Sequence, residues 1–286
     1  MAEQRAQAKR PFGKPTPEAM EERAMSDITQ HNAKIVDQHT QQAEVYAKLI
    51  ESSANSDRRA ALRAMINLCP EDNLLDVACG PGSVALNLAP YIHRAVGLDI
   101  TPAMLDQARK AQINSGISNV EWIEGDALAL PFPDGSFSAV TSSSAFHHLE
   151  DPAGVLAEME RVCRHGGRIV VMDVTPQADK AIAYDRLERM RDPSHGHAHS
   201  VEELAVMGAK LGLGLPEVQT SMAGPMPFES VLAASHPEEY SREELLDLMR
   251  NDALSGEDQF GFRAEVCDGR VYVTYRTSII CWTKQR

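Results

Sequence analysis

Leu74-Leu75-Asp76-Val77-Ala78-Cys79-Gly80-Pro81-Gly82 runs from a short apolar stretch of strand character straight into a glycine-proline-glycine turn. A helix-forming stretch, Ser83 to Ala89, follows at once. Glycine accepts backbone conformations closed to other residues and lets a ligand come close to the main chain. Downstream, Ala95 to Asp99, Val120 to Ile123, Phe137 to Ser142 and Arg168 to Asp173 also read as strands, separated by helical stretches. This repeated strand-helix alternation predicts an α/β fold. Its sheet is doubly wound and mostly parallel, with helices on both faces and ligand sites at the carboxyl ends of the strands.

Working outward, residues 71–175 form the expected core. Upstream, residues 1–27 mix Gln, Ala, Lys, Glu and Pro without periodicity and read as a flexible leader. Residues 28–70 read as an N-terminal helical cover, with one helix over His31 to Ile50 and another over Arg58 to Leu68. Residues 176–262 read as a lid and substrate region, mainly helical, with a strand at Glu217 to Met222. In it Met222, Met226, Phe228, Phe260 and Phe262 offer either an apolar acceptor pocket or core. Residues 263–286 read as C-terminal strands completing the sheet in antiparallel sense. There Asp268-Gly269 marks a hairpin expected at the sheet edge, where Tyr272 and Tyr275 offer a surface for a homodimer.

Composition narrows the function. The chain has 286 residues, enough for a large core without disulfide or metal staples. With 28 basic against 41 acidic residues its net charge of −13 repels phosphate backbones and anionic membranes, so neither nucleic acid nor membrane insertion is expected. Five scattered cysteines lack any C-x-x-C spacing, and no N-terminal apolar stretch has signal character. A cytoplasmic protein is the expectation.

The glycine turn alone is ambiguous. Gly80-x-Gly82-x-x-Ala85, with Asp99 at a strand end beyond it, also meets the generic dinucleotide fingerprint, so an NAD-dependent oxidoreductase is a competing reading. Asp76 tips the balance, because a carboxylate just before the turn repels a pyrophosphate but favours the cationic amino group and sulfonium of S-adenosylmethionine. Asp99, closing Val96-Gly97-Leu98-Asp99, offers two oxygens to a ribose diol. Asp126, in Glu124-Gly125-Asp126-Ala127, is placed to accept from an adenine amino group, with Ala127 holding the ring edge by its backbone.

With these residues in order, the chain resembles the class I S-adenosylmethionine-dependent methyltransferases, in the small-molecule branch of the ubiquinone and menaquinone biosynthesis enzymes. The resemblance rests on LLDVACGPG at 74–82, VGLDITPAMLDQA at 96–108, EGDALALPFPDGSFSAV at 124–140, SSSAFHHLEDP at 142–152 and EMERVCRHGGRIVVMD at 158–173. It implies a Rossmann-like sheet, S-adenosylmethionine as cofactor, S-adenosylhomocysteine as product and a small-molecule acceptor. It further implies that Ala78, Gly80, Gly82 and Gly125 line the cofactor and Asp99 holds the ribose. Ile100 and Met104 would pack near the adenine, Asp126 and Ala127 recognise it, and Ser142 and Ser143 lie beside the cofactor. Family members cover the cofactor with a tyrosine of the N-terminal helix, a place that Tyr46 matches. A non-transfer or sensing use of the bound cofactor is a further alternative.

Several histidines are candidates for the acceptor side. His147 and His148 follow the fourth strand, where His147 could serve as a general base or could simply pack. His195, His197 and His199 alternate as on an extended strand, three imidazoles to one side. No cysteine completes a familiar zinc pattern there, so the segment reads as a substrate-contacting or solvated loop and no metal is expected.

Overall fold

The computed structural model describes residues 17–52 and 56–285, with side chains over 28–50 and 60–285. Helices α1 (Pro17–Ser52) and α2 (Ser56–Ile66) lead into the alternating region. There β1 (Asn73–Val77), α3 (Ser83–Leu88), β2 (Arg94–Asp99), α4 (Pro102–Ser115) and β3 (Val120–Glu124) are followed by β4 (Phe137–Ser143), α5 (Pro152–Val162) and β5 (Cys163–Val174). Then come α6 (Ala181–Arg191), α7 (Val201–Lys210), β6 (Glu217–Pro227), α8 (Phe228–Ala233), α9 (Arg242–Ser255), β7 (Glu265–Cys267) and β8 (Arg270–Thr283).

Local chemistry sets the helix boundaries near the strand ends. Pro102 opens α4 at a position where its missing N–H costs nothing, and Gly116, at φ 68°, closes it. The Asp151 carboxylate caps α5 by accepting from the Gly154 N–H at 2.8 Å. Ser200 and Glu203 form a reciprocal capping box at the start of α7.

The strands lie in the order β3-β2-β1-β4-β5-β8-β6, with β7 paired to β8. β1 to β5 are parallel along this path, whereas β8 runs antiparallel to both β5 and β6. Strand order reverses between β1 and β4, so the crevice expected of a doubly wound sheet opens at their carboxyl ends.

Side chains alternate across the sheet. Leu75, Val77, Val96, Leu98, Val140 and Ile169 enter one buried cluster, shared with α5 and α7. Leu74, Ala95, Ala139 and Val170 enter another, shared with α2 and α3. Asp76, two residues from Leu74, therefore belongs to the α3 face.

Two expectations are corrected and one open choice is decided. The long arm of the C-terminal hairpin is not at the sheet edge: β8 is paired on both sides with β6 outside it, and only the three-residue β7 has β8 as its single partner. Tyr272 and Tyr275 are opposite Pro227 and Ala223 of β6, so they present no edge for a second copy. The segment read as a leader is helical from Pro17, the start of α1, while residues 1–16 lie outside the described residues. Of the two readings left open for Phe228, Phe260 and Phe262, core is the one observed: they are buried with Tyr184, Leu187, Leu245 and Met249 in a third core cluster, against which Met226 packs.

Candidate functional site

The turn after β1 is built from left-handed backbone. Ala78, Gly80 and Gly82 have φ of 52°, 53° and 80°. A Cβ on Gly82 would run into the Trp122 ring, so this position is closed to larger residues. A Cβ on Gly80 would meet nothing within 4 Å, so the turn leaves open space beside its backbone.

Two strand-end carboxylates flank the turn. Asp99 accepts from the Gly80 N–H at 2.7 Å and the Thr101 N–H at 2.8 Å, tying the glycine turn to the end of β2. Burial pushes its carboxyl up, against these amides and the nearby His39. Asp126 accepts from the Leu128 N–H at 2.9 Å and from Asn32 Nδ2 of α1 at 3.1 Å. Gly125 bonds back to the Asp99 carbonyl, which joins the two strand ends.

Asp76 is held inside the fold. Its carboxyl accepts from the Thr141 hydroxyl at 2.8 Å and the Ala85 N–H at 3.3 Å, and burial raises its pKa to about 7. Ala85 N–H is one of the free donors at the start of α3, where a dinucleotide's pyrophosphate would need it. A carboxyl already fills that place.

The hydroxyls of Thr101 and Ser142, at the ends of β2 and β4, are buried without a partner among the described residues. Ser143 and Ile100 are half-buried beside them, while Met104 and Ala127 are packed into the interior. An open turn, two acceptor carboxylates and two unsatisfied hydroxyls at neighbouring strand ends fit a ligand with an amino acid part, a diol and an aminopurine.

After β4, the single helical turn Phe146–His148 places His147 against the end of β5. Its Nδ1 lies 2.6 Å from Asp173 Oδ1. Burial opposes protonation of this imidazole, but Asp173 outweighs it and the pKa rises; Asp173 is held below the usual carboxylate range despite its own burial. His148 Nδ1 donates to the Ser194 carbonyl at 3.1 Å, and burial keeps this ring neutral, well below the ordinary imidazole value. The His147 ring is 4.2 Å from His148 and 5.5 Å from His195 by centroids.

The histidine segment is not a strand with three rings on one side. His195 and His197 grip the two oxygens of one carboxylate, Asp185, at 2.9 and 2.6 Å. His195 is buried near His147, whereas His197 is half exposed and stacks edge-on with His199.

Sequence reading missed Asn32, His39, Asp173 and Asp185. His39, whose ring stands edge-on to His148 at 5.0 Å, has its pKa lowered by burial although Asp192 and Asp99 oppose this. A signal was available: Asn32, His39 and Tyr46 recur every seventh residue and so share one face of α1. Tyr46 is half-buried on that face. A separate cavity of about 440 Å³, between α1 and the segment before α9, is lined by polar residues including Asp37, Gln38, Glu238 and Arg242. It shares no lining residue with the glycine turn.

Comparison with known proteins bears on this geometry. Residues 75–171 match a family model described as a methyltransferase domain. An uncharacterised methyltransferase, YcgJ of Bacillus subtilis, is 33% identical over 151 residues, covering 52% of this chain and 60% of that one. A demethylmenaquinone methyltransferase of Thermus thermophilus is 41% identical over 121 residues, covering 42% of this chain and 54% of that one. The chain thus spans little more than half the length of these curated relatives. A solved structure from Bacillus halodurans, designated a methyltransferase, superposes with a TM-score of 0.72 at 29% identity, covering 81% of this chain and all of that one.

Proposed function

From the premise that residues 75–171 are a methyltransferase domain of the class I, S-adenosylmethionine-dependent family, we propose that this protein methylates a small molecule bearing an ionisable hydroxyl or enol. The observation that carries the reading is the convergence of Asp99, Asp126 and the open Gly80 turn at the strand-order switch. When bound, the cofactor supplies a methyl group on a good leaving group, passed in line to the acceptor to leave S-adenosylhomocysteine.

The chain's own residues have separable tasks. Asp99 would hold the ribose diol and Asp126 the adenine amino group, each with a lone pair beyond those its backbone partners use. Asp76 would sense the cofactor's cationic end from behind the turn; a positive charge nearby favours its ionised form. His147, with Nδ1 fixed by Asp173, keeps Nε2 as the basic nitrogen and would take the proton from the acceptor's hydroxyl. α1 would exclude water from above through Asn32, His39 and Tyr46.

O-methylation and C-methylation of a phenolic or enolic ring both suit such a base, and the demethylmenaquinone relative supports a ring acceptor. The Asp76 carboxyl of β1, bonded to the Ala85 N–H at the start of α3, disfavours the NAD reading. All five cysteines are unpaired, in keeping with a reducing compartment, and no helix among the described residues is long and apolar enough to cross a membrane.

Calorimetric titration with S-adenosylmethionine, S-adenosylhomocysteine, NAD and NADP tests the cofactor. Binding of the adenosyl ligands alone is expected, weakened by roughly tenfold or more in Asp99→Ala, the scale of a lost hydrogen bond to a charged group. Binding confined to NAD or NADP sinks the reading.

A further inference from the structure

Beyond the cleft, the segment between α6 and α7 gathers three side chains of metal-ligating type. Among the described residues, one atom each of His197, His199 and Glu203 lies within 4.8 Å of the others. His197 is already oriented: its Nδ1 donates to Asp185 Oδ2 at 2.6 Å, which turns Nε2 to Glu203 as the nitrogen that would take an ion on losing its proton. From Nε2 the two Glu203 oxygens are 3.3 and 3.4 Å away. That is long for a charge-assisted hydrogen bond, but two donors each about 2.1 Å from one tetrahedral ion stand roughly 3.4 Å apart.

We propose that His197, His199 and Glu203 bind a divalent transition-metal ion of the zinc type, with Asp185 as the carboxylate that orients His197. Two imidazoles and one carboxylate are a donor set such ions take, and a carboxylate behind a ligating histidine fixes its tautomer and raises its basicity. Side-chain exposures of 40% at His197 and 49% at Glu203 leave room for water to complete the coordination. Glu203 has an oxygen to give: Oε2 accepts from the Ser200 N–H at 2.7 Å in the capping box, leaving Oε1 for the ion. The His199 Nδ1 is buried and finds no partner among the described residues, so this ring is not committed to another hydrogen bond at that nitrogen.

The ion has a place in the architecture. Asp185 belongs to α6, Glu203 to the first turn of α7, and the histidines to the segment between them. The Gly196 and His197 N–H groups both donate to the His147 carbonyl, at 2.9 and 3.1 Å. An ion here staples the segment that supports His147 from below. Ion binding does not depend on the methyl-transfer reading, whereas any effect on transfer rests on it.

The test uses chelator-stripped full-length protein titrated with zinc by calorimetry and with cobalt by visible absorption. One ion per chain is expected, with the intense cobalt bands of a low-coordinate site. Glu203→Gln keeps the capping box, since glutamine serves at that position, yet should weaken zinc at least tenfold (~10×). His199→Ala should abolish stoichiometric binding, and Asp185→Asn should cost roughly 10–100-fold. Zinc should raise the melting temperature of the wild type and not of Glu203→Gln. The proposal is overturned by absence of saturable binding in the wild type, or by equal affinity in Glu203→Gln and His199→Ala. The same samples titrated with S-adenosylmethionine keep a failed ion site distinct from a failed cofactor site.

Discussion

The His147–Asp173 pair concentrates opposing forces in two side chains. Burial alone would leave both groups neutral; each instead keeps the other charged, raising the pKa of the imidazole and lowering that of the carboxyl. For stability, Asp173 loses its contribution as pH falls through its depressed value, and His147 loses its own as pH rises through its elevated one. The pair therefore stabilises the fold most between the ordinary carboxylate and imidazole values. If His147 is the base proposed above, the sign is reversed for catalysis, because a base must be neutral. Activity should rise with pH through the elevated His147 value. In Asp173→Asn the charge is gone and burial dominates, so the acid limb of kcat/KM should move to lower pH while the plateau falls by about 10²-fold or more. A limb that stays in place would show that another group titrates. The residue scale was also where the sequence was least legible. Asp99, Asp126 and the glycines announce themselves by following strands, but nothing local pairs Asp173 with His147, 26 positions away, or Asp185 with two histidines.

At the scale of elements, α1 matters most. It has 36 residues, about 54 Å of helix at 1.5 Å per residue, and it packs against α4 and α8. Asn32 bonds Asp126, the His31 ring donates to the His148 carbonyl at 2.6 Å, and Gln38 donates to Glu238 at 3.4 Å. The helix thus spans both Asp126 and His148. If Asp126 receives the adenine amino group, Asn32 competes for it. Asn32→Ala should then tighten S-adenosylmethionine by a few-fold, the worth of about 1 kcal/mol for one hydrogen bond, as read by calorimetry. Weaker binding would instead make Asn32 part of the bound site. Helices and strands were legible where periodicity and caps agreed, as in α4 and α7. The cover was legible as a helix, but its working face was not: Asn32 and His39 are polar residues turned inward, and hydrophobic patterning passes over them.

The whole molecule is a parallel sheet finished by antiparallel strands, and the sequence was legible for both parts of that description, strand rhythm for the first and the C-terminal β-rich runs for the second. The position of β8 escaped this reading because turn chemistry predicts hairpins and not their place in a sheet. The DG turn does join β7 to β8, yet β7 is a three-residue appendage while the long partners of β8 are β5 and β6. Ile280 and Trp282 enter the cluster on one face, and Ile279 and Cys281 the one on the other. This ordering bears on how the protein is made. During synthesis β5 and β6 both emerge before the strand that separates them, so each waits with an open hydrogen-bonding edge. Nascent chains halted before residue 270 should remain protease-sensitive through β6 and seek other strands. Chains carried past Thr283 should gain protection there in one step, detectable by pulse proteolysis of stalled ribosome complexes. A β6 already protected in the shorter chains would refute that order. On this reading, β8 is the key that locks the sheet, and quality control meets the chain at its most adhesive just before that strand emerges.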